Sequence, residues 1–294
     1  MRKLFYIVLL CSFATVSEVQ SQSSTRSPNA SISSLTANVT QSYNRLHYQK
    51  STVRSAGEFD VGYGLTYRIQ PSASGHLQIA IGANYRTYHG NAEFKGFKDS
   101  VRMFDPSEGH RYFLYQIFNS TELQTVSFIE PSIRIEYLHP VSPFVDLLFG
   151  FGVGFGIKIR ETNKMTGSYK RYAYFYENHN LIDDLPSMNL GTYTDFLNPL
   201  PGKIFNTNWF ALWEIGPRFN ILPNWQLYAL FSVQTGFVNI QAKRDVFTHH
   251  ESYSGIIASR INTGIFAFST GFEIGISHRF GKFERRPQQQ SSTY

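Results

Sequence analysis

Four consecutive residues, His249, His250, Glu251 and Ser252, carry the groups of a nucleophile, a base and an acid, and His89 offers another imidazole. Acyl transfer by a serine hydroxyl needs a base to take its proton and an acid to orient that base. Adjacent histidines project in different directions and share no strand face, so this spacing does not assemble such a set. A polar loop is the preferred reading of the run, and as a metal site it is weak. No catalytic residue, metal ligand or cofactor is therefore expected. Glu130 and Glu136 are placed to work as an acid–base pair, but Arg134 lies between them on the same alternating face, and ion pairing is the expectation. Around Lys170 and Arg171 stand Tyr169, Tyr172, Tyr174, Phe175 and Tyr176. Interleaved rings and cations suit a glycan, a lipid headgroup or a protein. A hairpin that simply prolongs two strands explains the same alternation, and both readings stay open.

The elements that must position these groups are strands. From Glu58 onward apolar residues recur with period two, the mark of strands with two unlike faces. In the segment 144–160, Val145, Leu147, Phe149, Phe151, Val153, Phe155, Ile157 and Ile159 fall on one face. Glycines 150, 152, 154 and 156 fall on the other with Asp146, Lys158 and Arg160. This run is far longer than the typical strand of about 5–6 residues. A soluble half-buried strand seldom shows so many large apolar residues on one side. Similar alternation marks 58–70, 77–86, 129–137, 209–221, 226–237 and 271–280. An eighth strand is required for even parity and is placed near Leu35 to Tyr48. Tight connections at Pro71–Gly75, His139–Pro143 and Leu222–Asn224 alternate with long ones at 89–122, 161–206 and 241–259. Pro131 and Pro217 fall inside strands and are read as matched bulges, because proline removes a ladder hydrogen bond.

Composition agrees. Aromatic residues reach 16% while charged residues are only 16%, against about 25% charge in ordinary soluble domains. No apolar run reaches the 18 or more residues that a membrane-spanning helix requires. The fold class expected is all-β: a transmembrane antiparallel up-and-down β-barrel of eight strands, with short periplasmic turns and long extracellular loops. Residues 1–21 read as an export signal with a basic start at Arg2 and Lys3, cleaved after Ser21, or alternatively after Ser17. A flexible leader at 22–30, a barrel at 31–283 and a short periplasmic tail at 284–294 complete the organisation. The single cysteine, Cys11, leaves with the signal. The net charge of +6 is assigned to a loop surface facing anionic lipid, and no nucleic-acid partner is expected in an exported chain.

Alternation places Glu58, Asp60, Arg68, Arg86, Glu130, Arg134, Glu136, Asp146, Lys158, Arg160, Glu214, Arg218, Glu273 and Arg279 on the face away from lipid. The bore of an eight-stranded barrel is only wide enough for side chains to fill it, so these charges are expected to pair and plug the lumen. A narrow channel is the alternative. A soluble barrel with its apolar face inside is disfavoured by strand length and inward glycines.

Near the C-terminus, Gly271-Phe272-Glu273-Ile274-Gly275-Ile276-Ser277-His278-Arg279-Phe280 resembles the terminal β-signal of outer-membrane proteins, with Phe272, Ile274, Ile276 and Phe280 on the apolar face and Gly275 toward the lumen. The barrel region resembles the small outer-membrane β-barrel superfamily of OmpA/OmpX type. That resemblance implies location in the bacterial outer membrane, contact with lipopolysaccharide and recognition by the barrel-assembly machinery. It also allows an extracellular protein or glycan ligand for the loops. The expected function is non-enzymatic, structural or adhesive, with a lipid-A-modifying enzyme as the alternative.

Overall fold

The computed structural model describes residues 32–49, 54–71, 75–104, 109–177, 179–188, 190–194, 205–241 and 264–280. The export signal, the leader, the His249–Ser252 run and the tail lie outside the described residues. Eight long strands form one ring: β1 (Ile32–Tyr48), β2 (Glu58–Gln70), β3 (Leu77–Phe104), β4 (Arg111–Ser142), β5 (Val145–Phe175), β6 (Asn208–Leu222), β7 (Trp225–Gly236) and β8 (Ile265–Phe280). Each is antiparallel to the next in sequence. The ring closes where β8 returns to β1, from Ser33↔Phe280 to Tyr48↔Ile265. Closure leaves no edge in the membrane-spanning part, which is the condition for strands to cross hydrocarbon. No described helix is long and apolar enough to cross a membrane.

The two faces of the wall are chemically opposite. Outward residues such as Ile133, Ile135, Phe151, Trp213, Phe272 and Ile274 are exposed. Inward residues such as Arg68, Glu130, Arg134, Glu136 and Glu214 are buried. A charged interior and an apolar exterior is the inverse of a soluble barrel and identifies the surrounding medium as lipid. The first strand lies where parity placed it. Its inward side chains, Ser34, Thr36, Asn38, Thr40, Ser42 and Asn44, are small, polar and buried. Its outward row includes Ala37 and Gln41, so it carries little hydrophobic alternation.

The structure departs from the sequence reading at four places. The stretches 89–104, 111–122 and 161–175 are continuations of β3, β4 and β5, not loops. Pairing runs on to Phe104↔Arg111 and Tyr112↔Phe175, so a three-stranded sheet stands above the ring. Pro131 and Pro217 do not mark bulges: Ala83↔Pro131 and Leu147↔Pro217 are in continuous register. Each proline faces outward and keeps its register on both sides. The register shifts fall instead at Phe94/Phe97, Ser127/Phe128, Pro140/Ser142 and Trp225/Gln226. One of these, where Lys158 pairs with Phe128 but Arg160 with Ser127, exchanges the faces of β5. Arg160 is consequently outside and exposed, not in the lumen. Finally, β2 parts from β3 at its upper end while staying paired to β1 as far as Asn44↔Glu58. Its pairing with β3 stops at Tyr63↔Tyr85, while β1 reaches β3 directly at Arg45↔His89. The freed segment lays its nominally inward Glu58 and Asp60 against the outward His89, so these two carboxylates also lie outside the bore.

Inward glycines make room for the long side chains opposite. A Cβ at Gly152 would sit 2.4 Å from both the Arg134 Cγ and the Ile133 carbonyl oxygen. The Gly152→Val variant is therefore expected to lose about 1–3 kcal/mol of unfolding free energy, measured by urea titration in detergent micelles. Phe151→Leu, one residue away on the lipid face, is expected to change it by about 0.5 kcal/mol or less. Equal losses at the two positions would contradict the assignment of faces.

Candidate functional site: the bore and the raised sheet

Alternate residues of β1 to β8 project into a common bore, and their polar ends meet in three tiers. At the periplasmic end, Arg218 donates to Asp146 Oδ2 from Nη2 at 2.7 Å and from Nε at 3.0 Å. Asn220 donates to the same oxygen at 3.1 Å, and Arg279 Nη2 donates to Asn220 Oδ1 at 3.0 Å. In the middle, Arg68 Nε donates to Glu136 Oε2 at 2.9 Å and its Nη1 to Thr36 Oγ1 at 2.6 Å. The Arg68 guanidinium also lies 4.3 Å over the Tyr228 ring. Arg134 donates from Nη1 to Glu214 Oε1 at 2.5 Å and from Nη2 to Thr66 Oγ1 at 2.8 Å. Gln78 adds a hydrogen bond to Glu136. In the upper tier Tyr88 donates to Glu130 Oε1 at 2.8 Å, and Gln234 Nε2 donates to that oxygen at 3.0 Å. Arg86 completes the tier with a hydrogen bond to Gln234 Oε1 at 2.5 Å and an ion pair with Glu130 at 3.9 Å.

Glu273 is buried between these tiers. Five guanidinium groups (Arg68, Arg86, Arg134, Arg218, Arg279) thus share the bore with five carboxylates (Glu130, Glu136, Asp146, Glu214, Glu273). The bridging donors and acceptors are neutral: Thr36, Thr66, Gln78, Tyr88 and Gln234. Sequence reading selected the charges and passed over these partners. Their signal was parity, since each lies an even number of residues from a charged residue on its own strand or its neighbour. Lys158 faces inward near the outer mouth and donates to Glu161 at 2.6 Å. Above it, Phe205 and Ile240 are fully buried, and Asn206 N donates to the Ile240 carbonyl at 2.6 Å.

Outside the wall, His89 lies 3.4 Å from Glu58 Oε2, 3.5 Å from Asp60 Oδ2 and 3.5 Å from Thr125 Oγ1. A hydroxyl, an imidazole and carboxylates do meet here. However, Glu58 and Thr125 face the same ring nitrogen, Nδ1, and all three separations are at the outer limit of hydrogen bonding. The cluster works as a clasp that holds the end of β2 against β3. No group of three or more potential metal ligands is found among the described residues.

The raised sheet has one covered side and one open side. The covered side carries Ala173, Phe175 and Leu190, against which Tyr112, Leu114, Ile182, Leu185 and Met188 pack. The short strands Asn180–Ile182 and Gly191–Tyr193 pair along the outer edge of β5. On this side the Tyr169 phenol stacks on Tyr193 at 5.0 Å. Partial burial raises its pKa, the Arg171 charge opposes that rise, and the Tyr193 phenol adds to it. The open side continues the outward face of the wall. It carries Lys98 and Arg102 from β3, Phe113, Tyr115 and Ile117 from β4, and Lys170, Tyr172 and Tyr174 from β5.

Strand β8 presents Phe272, Ile274 and Ile276 to the lipid side, and Phe280 is half-buried at its end. Gly275 faces the bore, where a Cβ would meet Thr36 Cγ2 at 2.8 Å. His278, outward near the periplasmic end, packs edge-on to Trp225 at 4.8 Å.

No protein-family model matches the chain, and no curated protein matches it. Solved structures do. Ail of Yersinia pestis, crystallised with the heparin analogue sucrose octasulfate, is 10% identical, with 85% of this chain and 99% of that chain covered and a TM-score of 0.31. The neisserial surface protein NspA is 8% identical over 84% and 97%, with a TM-score of 0.36. The outer membrane protein OprG of Pseudomonas aeruginosa is 9% identical over 86% and 97%, with a TM-score of 0.35. Identities and scores this low transfer neither ligand nor activity.

Removing one member of a buried ion pair strands the other, which costs about 3–5 kcal/mol, while replacing both with apolar groups is often nearly neutral. Arg134→Ala and Glu214→Ala are each expected to fall in that range by urea unfolding of the micelle-held barrel. The double variant Arg134→Met/Glu214→Leu is expected to lie closer to the wild type than either. Additive losses in the double variant would show that the two groups do not act as a pair. With its ring of eight strands closed, its exterior apolar and its ionic groups enclosed, this chain is an eight-stranded transmembrane β-barrel.

Proposed function

We propose that the protein is a non-enzymatic outer-membrane barrel whose bore is sealed by its own side chains and whose work is done by the sheet it raises above the membrane. The interlock of Arg134 with Glu214, Glu136 and Thr66 across the middle of the bore carries this reading. A conducting path needs water along the axis. Here the axis is crossed by charged groups held in place by short bonds from opposite walls, and these groups are nearly fully buried. A sealed barrel of this size serves as an anchor. The membrane-spanning part of β3, β4 and β5 is then the foot of a rigid display element.

Lipopolysaccharide is the natural neighbour of the outward rim, where Arg160 and Lys164 stand exposed just above the apolar belt. During biogenesis β8 presents the apolar row and terminal aromatic that fit recognition by the barrel-assembly machinery.

Reconstitution into planar bilayers separates an anchor from a channel. The purified protein is expected to insert without discrete conductance steps. Reproducible steps in the wild type would overturn the sealed-bore reading.

A further inference from the structure

We propose that the open side of the raised sheet binds a soluble polyanionic glycan, with Lys98, Arg102 and Lys170 holding its charged substituents; this rests on reading the sheet as the working surface of the barrel. Three observations point there. First, the side is a regular sheet face over which no described residue packs, unlike its reverse, which is covered by Ile182, Leu185, Met188 and Leu190. Second, its rings are oriented for anions. Tyr115 and Tyr172 stack at 5.0 Å with their planes 10° apart, so they stand on the sheet and turn their edges and hydroxyls outward. Ring edges carry the positive part of the aromatic quadrupole, and phenol hydroxyls donate hydrogen bonds. Phe113 lies 6.1 Å from Tyr115 and packs edge-on to Tyr176 at 4.8 Å, which extends the same surface. Third, the cations surround this stack. Lys98 and Lys170 flank Ile117 in one row, and Arg102 lies beside Phe113 in the row two residues beyond Tyr115. Lys98 and Arg102 are exposed and make no ion pair among the described residues, while Lys170 shares Asp183 at 3.0 Å.

The spacing chooses between ligands. Lys98 and Lys170 are two strand intervals apart, about 10 Å, and Arg102 is four residues from Lys98, about 13 Å. A single sulfate or phosphate cannot span these gaps, whereas a chain bearing repeated anionic groups can. Height chooses between sources. Tyr115 is eight residues beyond Leu123, the last exposed aliphatic residue of β4 below the raised sheet. Along a strand that is about 27 Å, or about 20 Å of height at the usual strand tilt, above a headgroup layer of about 5–8 Å. The anionic groups of the barrel's own membrane therefore lie below this face, and the ligand comes from outside.

The test uses the full barrel in uncharged detergent, with immobilised dextran sulfate as the probe and unsulfated dextran and lipopolysaccharide vesicles as comparators. Binding to dextran sulfate is expected, falling steeply with added salt. It should weaken at least tenfold in Lys98→Ala/Arg102→Ala and several-fold in Tyr115→Leu/Tyr172→Leu. Arg160→Ala/Lys164→Ala removes the same charge from the rim and should stay within twofold of the wild type. Retained binding in the first variant, equal loss in the rim variant, no preference over unsulfated dextran, or stronger binding to lipopolysaccharide vesicles would each overturn the proposal. The sealed-bore reading fails separately: a barrel that conducts yet binds dextran sulfate refutes that reading and leaves this one standing.

Discussion

A carboxylate carried from water into a bore lined by other side chains loses most of its hydration, and the loss is recovered only if a cation meets it with good geometry and the remaining lone pairs are satisfied. The barrel answers that loss with arginine in its membrane-spanning tiers. Glu130, Glu136, Asp146 and Glu214 each pair with a guanidinium there, and arginine is the only cation type used in those tiers. Its planar fork can serve two acceptors at once, as Arg68 does with Glu136 and Thr36 and Arg134 does with Glu214 and Thr66. Because the partners come from strands far apart in sequence, the network fixes the strand register. A slip by one residue would turn every charge toward lipid and every Phe or Ile toward the bore. Glycines at 150, 152 and 154 belong to the same arrangement, since Glu214, Arg134 and the Phe210 ring from neighbouring strands occupy the space a side chain would need.

The chemistry of the outer surface follows from this rigidity. A wall that cannot slip lets β3, β4 and β5 continue without interruption into the aqueous region, so the raised sheet inherits the alternation established in the membrane. The register shift at Lys158–Arg160 decides which residues of β5 inherit which face. Below it, odd-numbered residues face outward. Above it, Arg160, Thr162, Lys164, Lys170, Tyr172 and Tyr174 do, and a lysine-, tyrosine-rich row replaces a phenylalanine-rich one.

Much of this was legible in the residues. Period-two alternation located seven strands, and parity alone demanded β1, whose Ser, Thr and Asn lining gives almost no hydrophobic contrast to read. The charges of the bore were visible for the same reason as the strands. Glu58, Asp60 and Arg160 were misplaced because alternation assumes an unbroken register, and nothing in the residue types announces a one-residue shift or the departure of β2 from its neighbour. The prolines misled in the opposite direction: an outward proline in a long strand forgoes a hydrogen bond without displacing its neighbours. The raised strands were hidden because Thr, Ser, Asn and Lys on both sides of a water-exposed ribbon look like a loop. The neutral lattice of Gln78, Tyr88 and Gln234 was hidden because sequence inspection ranks charges above amides and phenols.

The raised sheet also has unlike margins. Along β5 two short strands cover its backbone, but beyond Glu93 no described strand pairs with the outer side of β3. A bare margin of this kind is a template on which another extended chain can add itself. Here it is bordered by the exposed Lys98 and Arg102, so a second copy approaching margin to margin would bring like charges together. In a crowded membrane this arrangement keeps neighbouring barrels from zipping into ribbons, and it keeps each sheet standing as a separate post.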